Sequence, residues 1–181
     1  FEKRVSSKEV PFFMKLMDML NKHNINCPKP LKNINGKYLT LIKNKPACIV
    51  TFVEGKDKNK LNSKDCYEIG KNIAKLHLAS NKIKLFRKNS MSINNLTPLL
   101  NSIKYKSKKI APNLSFILNQ SMKKIKKEWP KNLPSGIIHG DLFIDNIFFE
   151  KKKFSGFIDF YFSCTDYLMY EIAICVNALC F

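Results

Sequence analysis

At 181 residues the chain is long enough to bury a sizeable core, as one domain or as two small lobes. A composition of 45% hydrophobic and 12% aromatic residues excludes a disordered chain, and no apolar run reaches the length of about 18 residues that a membrane-spanning helix needs. The net charge of +18 is nearly all lysine, with Arg4 and Arg87 the only arginines. Lysine spread evenly over helices reads as a solvated surface that can steer an anionic nucleotide, not as a nucleic-acid stripe.

No leading apolar run with a cleavage site is present, so the expectation is a soluble, cytoplasmic protein without membrane or nucleic-acid partners. The six cysteines (Cys27, Cys48, Cys66, Cys164, Cys175, Cys180) lack metal-site spacing and read as reduced, buried thiols.

In chain order, Phe1-Glu2-Lys3-Arg4-Val5 begins abruptly and reads like the tail of a strand. Between Ser6 and His23, Phe13, Leu16, Met17 and Leu20 recur at the spacing of an amphipathic helix. Ser6 and Glu9 have capping-box spacing, while Pro11 suits only a first turn and pushes the start later. Tyr38–Ile42 and Ala47–Val53 read as a hairpin around a Lys-Asn-Lys-Pro turn. A lobe boundary follows, giving an N-terminal lobe over 1–53 and a helical lobe over 54–181. Helices are expected over Asn62–Ser80, on Cys66, Ile69, Ile73 and Leu76, and over Asn113–Trp129, on Leu114, Ile117, Leu118 and Ile125. Lys82–Ile110 is ambiguous, helix mixed with loop. From Asp166 onward an apolar helix is expected, and the whole order is that of an α+β fold.

The densest chemistry lies in Gly136–Phe160. The apolar run Gly136-Ile137-Ile138 delivers His139-Gly140-Asp141, Asn146 opens the run Ile147-Phe148-Phe149, and Phe157-Ile158 ends at Asp159. An aspartate on a loop leaving a strand can accept a proton from a hydroxyl in phosphoryl transfer. An asparagine and a second aspartate can supply oxygens to magnesium.

HGDLFIDNIFF and GFIDF resemble the catalytic and metal loops of the aminoglycoside phosphotransferase and choline kinase superfamily, with its protein-kinase-like two-lobe fold. FEKRV, CPKPL, IVTFVEG, IIHGDLFIDNIFFE and GFIDFYFSCTDYLMYEIAICVNALCF more closely resemble the bacterial type II homoserine kinases, in register over nearly the whole chain. The resemblance implies a mainly helical C-terminal lobe with a short catalytic hairpin, and ATP-dependent phosphorylation of the L-homoserine hydroxyl, a step feeding threonine synthesis. It makes Asp141 the catalytic base, Asn146 and Asp159 the Mg2+ ligands, and Ile49–Val53 the hinge, where the backbone of Thr51 and Val53 would bind adenine. The family's phosphate loop would precede Phe1, and its C-terminal end would follow Phe181; neither G-x-G-x-x-G nor a Walker A sequence occurs here.

Several residues have plainer readings beside these. His139 is expected to tie the catalytic loop by hydrogen bonds, Asp145 to cap that loop, His77 to be a satisfied packed histidine and Asp166 to cap the last helix. Glu9 stands for the family's helix-C glutamate or for a helix cap, and Glu171 for a structural salt bridge or a contact to a substrate amine. Three further readings are a kinase for choline, an aminoglycoside or another small alcohol, an inactive nucleotide-binding fragment, and a basic RNA-associated protein.

Overall fold

The computed structural model describes residues 5–181, so the expectation for Phe1–Arg4 lies outside the described residues. Two compact units divide the chain: one runs up to Lys88 and resumes over Pro134–Phe181, and the other is Asn89–Leu133.

In the first unit, helix α1 (Val10–Lys22) buries Val10, Phe13, Met14, Leu16, Met17 and Leu20 on one face. Each such side chain contributes about 1.5–3 kcal/mol on burial. Pro11 sits in the first turn, where no helical N–H is lost, and Glu9 occupies the N-cap without a side-chain cap bond. The expected capping box with Ser6 is therefore not formed, because the Glu9 carboxylate is turned to Arg87.

Strand β1 (Pro30–Leu31) pairs with β4 (Ile49–Val50), and β2 (Thr40–Ile42) pairs with β3 (Lys45–Ala47), all antiparallel. The single strand expected over Ala47–Val53 is thus two short ones, broken at Cys48 and paired to different partners. The β2–β3 turn is the two-residue step Lys43-Asn44, both at positive φ, the geometry that matches the twist of a tight hairpin.

Helix α2 (Ser63–Ser80) begins in a capping box. The Asn62 side chain accepts the Asp65 N–H at 3.0 Å, and the Asp65 carboxylate accepts the Asn62 N–H at 3.1 Å. Its face of Ile69, Ile73 and Leu76 joins the α1 face in one core, completed by Ile137, Leu142, Ile147, Phe149, Phe157 and Phe160. Cys66, expected on that face, is only half-buried.

After Pro134 come β5 (Ser135–Ile138), β6 (Ile147–Glu150), β7 (Lys153–Phe157), β8 (Cys164–Tyr167) and α5 (Leu168–Leu179). β6 and β7 form the expected hairpin, turned at Lys151-Lys152, again both at positive φ. β8 pairs with β5 from Ser135 opposite Tyr167 to Ile138 opposite Cys164, so the last helix starts at Leu168 rather than Asp166. The Asp166 carboxylate accepts the N–H of the neighbouring Tyr167 at 2.7 Å and does not cap α5.

The second unit is a helical pair, α3 (Ile93–Ile110) packed on α4 (Leu114–Glu128). α3 resolves the ambiguous stretch as a continuous helix that carries Pro98 inside it. Ile117 and Ile125, expected on a packed face of α4, are exposed.

Of the six thiols, all free, Cys27, Cys164 and Cys175 are buried as expected, Cys48 and Cys66 are half-buried, and Cys180 is exposed. Among the described residues no helix is long and apolar enough to cross a membrane.

Candidate active site

Two loops of the first unit meet here, one running from His139 at the end of β5 to Asn146, the other following β7 at Ile158-Asp159. Asn146, 8% exposed, closes the first loop on itself. Its Nδ2 donates to the Asp141 carbonyl at 2.8 Å and to Asp141 Oδ2 at 3.3 Å, which turns its own oxygen, Oδ1, away from Asp141. The Asn146 carbonyl accepts the Ile158 N–H at 3.0 Å, tying the loops together one residue before Asp159.

His139 makes the second tie. Fully buried against Phe160 at a ring-centroid distance of 4.5 Å, it donates from Nε2 to the Ile158 carbonyl at 2.8 Å. Its Nδ1 accepts the Asp141 N–H at 3.3 Å. One ring nitrogen gives and the other receives, so the imidazole is neutral, and burial pushes its pKa below the ordinary histidine value against the pull of Glu171, Asp141 and Asp159.

Behind the loop lies Glu171 of α5, fully buried. Oε1 accepts the Gly140 N–H at 2.8 Å, and Oε2 accepts the His139 N–H at 3.0 Å and His77 Nε2 at 3.2 Å. Burial alone would raise this carboxyl's pKa; His77, His139 and the two backbone donors more than offset it and hold the group below its ordinary value. Gly140 itself has φ +80°, and a Cβ there would stand 3.0 Å from the Phe162 carbonyl oxygen, so any other residue at this point is strained.

Asp159 adopts the left-handed conformation, φ 59° and ψ 59°, and leads into a 3-10 turn over Phe160–Phe162. Its short polar side chain is among those that tolerate this region. Asp145 is exposed and lies inside the 3-10 turn Ile144–Asn146.

The chain after β4 is held by paired contacts. Thr51 donates its N–H to the Lys29 carbonyl at 2.9 Å, and the Thr51 hydroxyl accepts the Lys29 N–H at 2.9 Å. Val53 is buried, and its Cγ1 would meet a Cβ on Gly156 of β7 at 2.9 Å. Lys56 and Phe149 exchange two backbone hydrogen bonds, of 3.1 and 2.8 Å.

Asp141, Asn146, His139 and the residue before Asp159 are thus one bonded unit, while Thr51 and Val53 lie on the segment that docks against the same hairpin. All the donors offered to a cation are oxygens, which suits a hard ion. Among the described residues no group of three or more His, Cys, Asp or Glu that could hold a metal ion is found.

Sequence reasoning missed Arg87, whose Nε donates to Glu9 Oε1 at 2.7 Å and whose Nη1 donates to the Ser163 carbonyl at 3.0 Å. One of only two arginines in a lysine-rich chain was the available signal. The clamping role of Glu171 had one as well, a carboxylate within an apolar helix.

A family model described as "Phosphotransferase enzyme family" matches residues 1–181. The chain belongs to that family. Curated relatives named homoserine kinase match this chain along its whole length. The one from Parvibaculum lavamentivorans is 41% identical over 181 residues, and the one from Xanthobacter autotrophicus is 39% identical over 181 residues. In both, the match covers 100% of this chain and 56% of the relative, so the chain spans little more than half the length of these proteins.

Among solved structures, amicoumacin kinase aligns with a TM-score of 0.68 at 16% identity, over 97% of this chain and 54% of that one. Spectinomycin phosphotransferase aligns with a TM-score of 0.70 at 13% identity, over 93% and 58%. At such identities the likeness establishes the fold, and the α+β, protein-kinase-like architecture expected from the sequence is the one found.

Proposed function

We propose that this phosphotransferase chain carries the catalytic and metal loops of an ATP-dependent kinase that phosphorylates the side-chain hydroxyl of L-homoserine to O-phospho-L-homoserine. The reading rests on one observation above the rest: relatives named homoserine kinase match every residue of the chain at about 40% identity, with the Asp141–Asn146 contact lying within the match. The lobe boundary is taken after Val53.

In this reading the Asp141 carboxylate accepts the proton of the attacking hydroxyl and orients its oxygen. Asn146, through Oδ1, and Asp159 would hold Mg2+, which when bound neutralises phosphate charge. The backbone of Thr51 and Val53 would receive adenine. Glu171 and His139 fix the loop backbones, so that Asp141 is placed before substrate arrives and little reorganisation remains for the reacting state.

The test is turnover by the intact protein, followed as ADP release, with L-homoserine, choline and an aminoglycoside offered in turn. Homoserine should be clearly preferred, and Asp141→Asn should reduce kcat by at least about 100-fold, the lower end of general-base effects, with Mg2+-ATP still bound. Preference for another alcohol would reassign the acceptor. Near-wild-type turnover by Asp141→Asn would remove the base assignment, and binding of nucleotide without any ADP release would leave only an inactive nucleotide-binding fragment.

A further inference from the structure

The Arg87 side chain lies at the crossing of three segments distant in sequence. Its Nε donates to Glu9 Oε1, at the start of α1, at 2.7 Å, and its Nη1 donates to the Ser163 carbonyl at 3.0 Å. The guanidinium also stacks over the Phe13 ring at 5.0 Å from the centroid. Its backbone is fastened to β8, since the Thr165 N–H donates to the Arg87 carbonyl at 2.7 Å and the Arg87 N–H to the Thr165 hydroxyl at 3.3 Å.

Ser163, the residue that receives Nη1, is itself fully buried and touches both loops of the candidate site. Its hydroxyl donates to the His139 carbonyl at 3.3 Å, and its N–H donates to the Phe160 carbonyl at 3.0 Å, closing the 3-10 turn that Asp159 leads into. The Phe162 carbonyl in the same turn is the atom that a Cβ at position 140 would approach to 3.0 Å. Wherever the stretch Phe160–Ser163 sits, Asp159 and the His139–Asp141 backbone sit with it.

We propose that Arg87 is a positioning residue for the metal loop, holding Phe160–Ser163, and through it Asp159, in register with α1 by its fork to Glu9 and Ser163. The proposal rests on the kinase reading above, which makes Asp159 a metal ligand. A planar guanidinium can serve both oxygens while its face lies on Phe13; a lysine ammonium has no such fixed fork, and lysine is what this chain uses at nearly every other basic position. Half-exposed Glu9, 40% accessible, is the end of the fork that can be altered without opening the core.

The experiment uses the intact protein and its variants Glu9→Gln and Arg87→Lys, with ADP binding measured by calorimetry in excess Mg2+ and in EDTA. Both variants are expected to bind Mg2+-ADP about tenfold more weakly, the scale on which groups behind a metal ligand act, and to bind ADP in EDTA as the wild type does. Arg87→Lys should be the weaker of the two, since it also loses the Ser163 contact. Wild-type Mg2+ dependence in both variants, even with a lowered unfolding midpoint, would make Arg87 a packing residue and overturn the proposal. Should Arg87→Lys fail to fold, Glu9→Gln decides alone. A wild type whose ADP affinity does not respond to Mg2+ overturns the kinase reading and this proposal together, an outcome distinct from the first.

Discussion

Nε2 of His139 lies 2.8 Å from the carbonyl oxygen of Ile158, so the ring that closes the His139–Asn146 loop also holds the residue next to Asp159. A carbonyl can only accept, which makes Nε2 the protonated nitrogen and leaves Nδ1 to receive the Asp141 N–H. A second proton on the ring would face that N–H directly.

This fixes a pH dependence. Burial, the largest influence on His139, lowers its pKa from the ordinary 6.5. A histidine whose folded pKa is depressed contributes stability that is complete above 6.5 and is lost as pH falls through the lower, folded value. Urea unfolding of the wild type should therefore weaken as pH drops below 6.5, and His139→Gln should lack that portion of the slope. Parallel pH profiles for the two proteins would mean the ring is not held neutral.

Glu171 predicts a loss of a different kind. Its two oxygens serve the His139 and Gly140 N–H groups together with His77, and glutamine brings only one oxygen. At least one buried backbone donor would then face an amide NH2, at a cost of about 1–3 kcal/mol, so Glu171→Gln should lower the unfolding free energy by that much and slow turnover. Since the carboxyl pKa is held below its ordinary 4.5, the stability it contributes is present above pH 4.5 and lost as pH falls below it. The gap between wild type and variant should close in that acid range, as checked by denaturation at a series of pH values.

The strongly periodic elements were legible in the sequence. Phe13, Leu16, Met17 and Leu20 form the buried face of α1, Ile69, Ile73 and Leu76 that of α2, and the three apolar runs of the central stretch became β5, β6 and β7. What local pattern could not carry is pairing between distant segments. Nothing in Ala47–Val53 shows that Cys48 ends one ladder and Ile49 begins another, because that is decided by Pro30-Leu31 lying opposite. Asp166 and Tyr167 read as the start of an apolar helix until β5 supplies a partner for Cys164–Tyr167. In the candidate site, the H-x-D-x-x-x-x-N spacing exposed Asp141 and Asn146, whereas Glu171 reaches the Gly140 N–H from 31 residues away and Arg87 reaches Glu9 from 78.

Thr51 offers a prediction about the segment after β4. Its hydroxyl takes the Lys29 N–H, a donor that a regular antiparallel ladder would give to a backbone carbonyl. Thr51→Val keeps the shape and removes that acceptor, for an expected loss of about 1 kcal/mol, while Thr51→Ser should restore it. If adenine is read from this backbone, the KM for ATP should rise in Thr51→Val with the KM for homoserine unchanged. Equal changes in both would place the effect outside nucleotide binding.

The three glycines at positive φ form a graded series for alanine. Gly36 has φ +71° and open space around its absent Cβ, so Gly36→Ala should cost only the left-handed backbone penalty of about 1–2 kcal/mol. Gly140→Ala adds a contact of 3.0 Å with the Phe162 carbonyl oxygen, which the neighbouring turn can relieve only by moving the loop that carries Asp141. Gly55, at φ +102°, would bring its Cβ to within 2.4 Å of the Phe149 carbonyl oxygen, an atom held in the Lys56–Phe149 backbone pair. Neither partner is the end of a flexible side chain, so the Gly55–Lys56 segment and the β6–β7 hairpin must separate. Unfolding midpoints should fall in the order Gly36→Ala, Gly140→Ala, Gly55→Ala, with kcat impaired in the latter two and untouched in the first. A Gly55→Ala protein as stable as Gly36→Ala would show that the Gly55–Lys56 segment does not lie against Phe149.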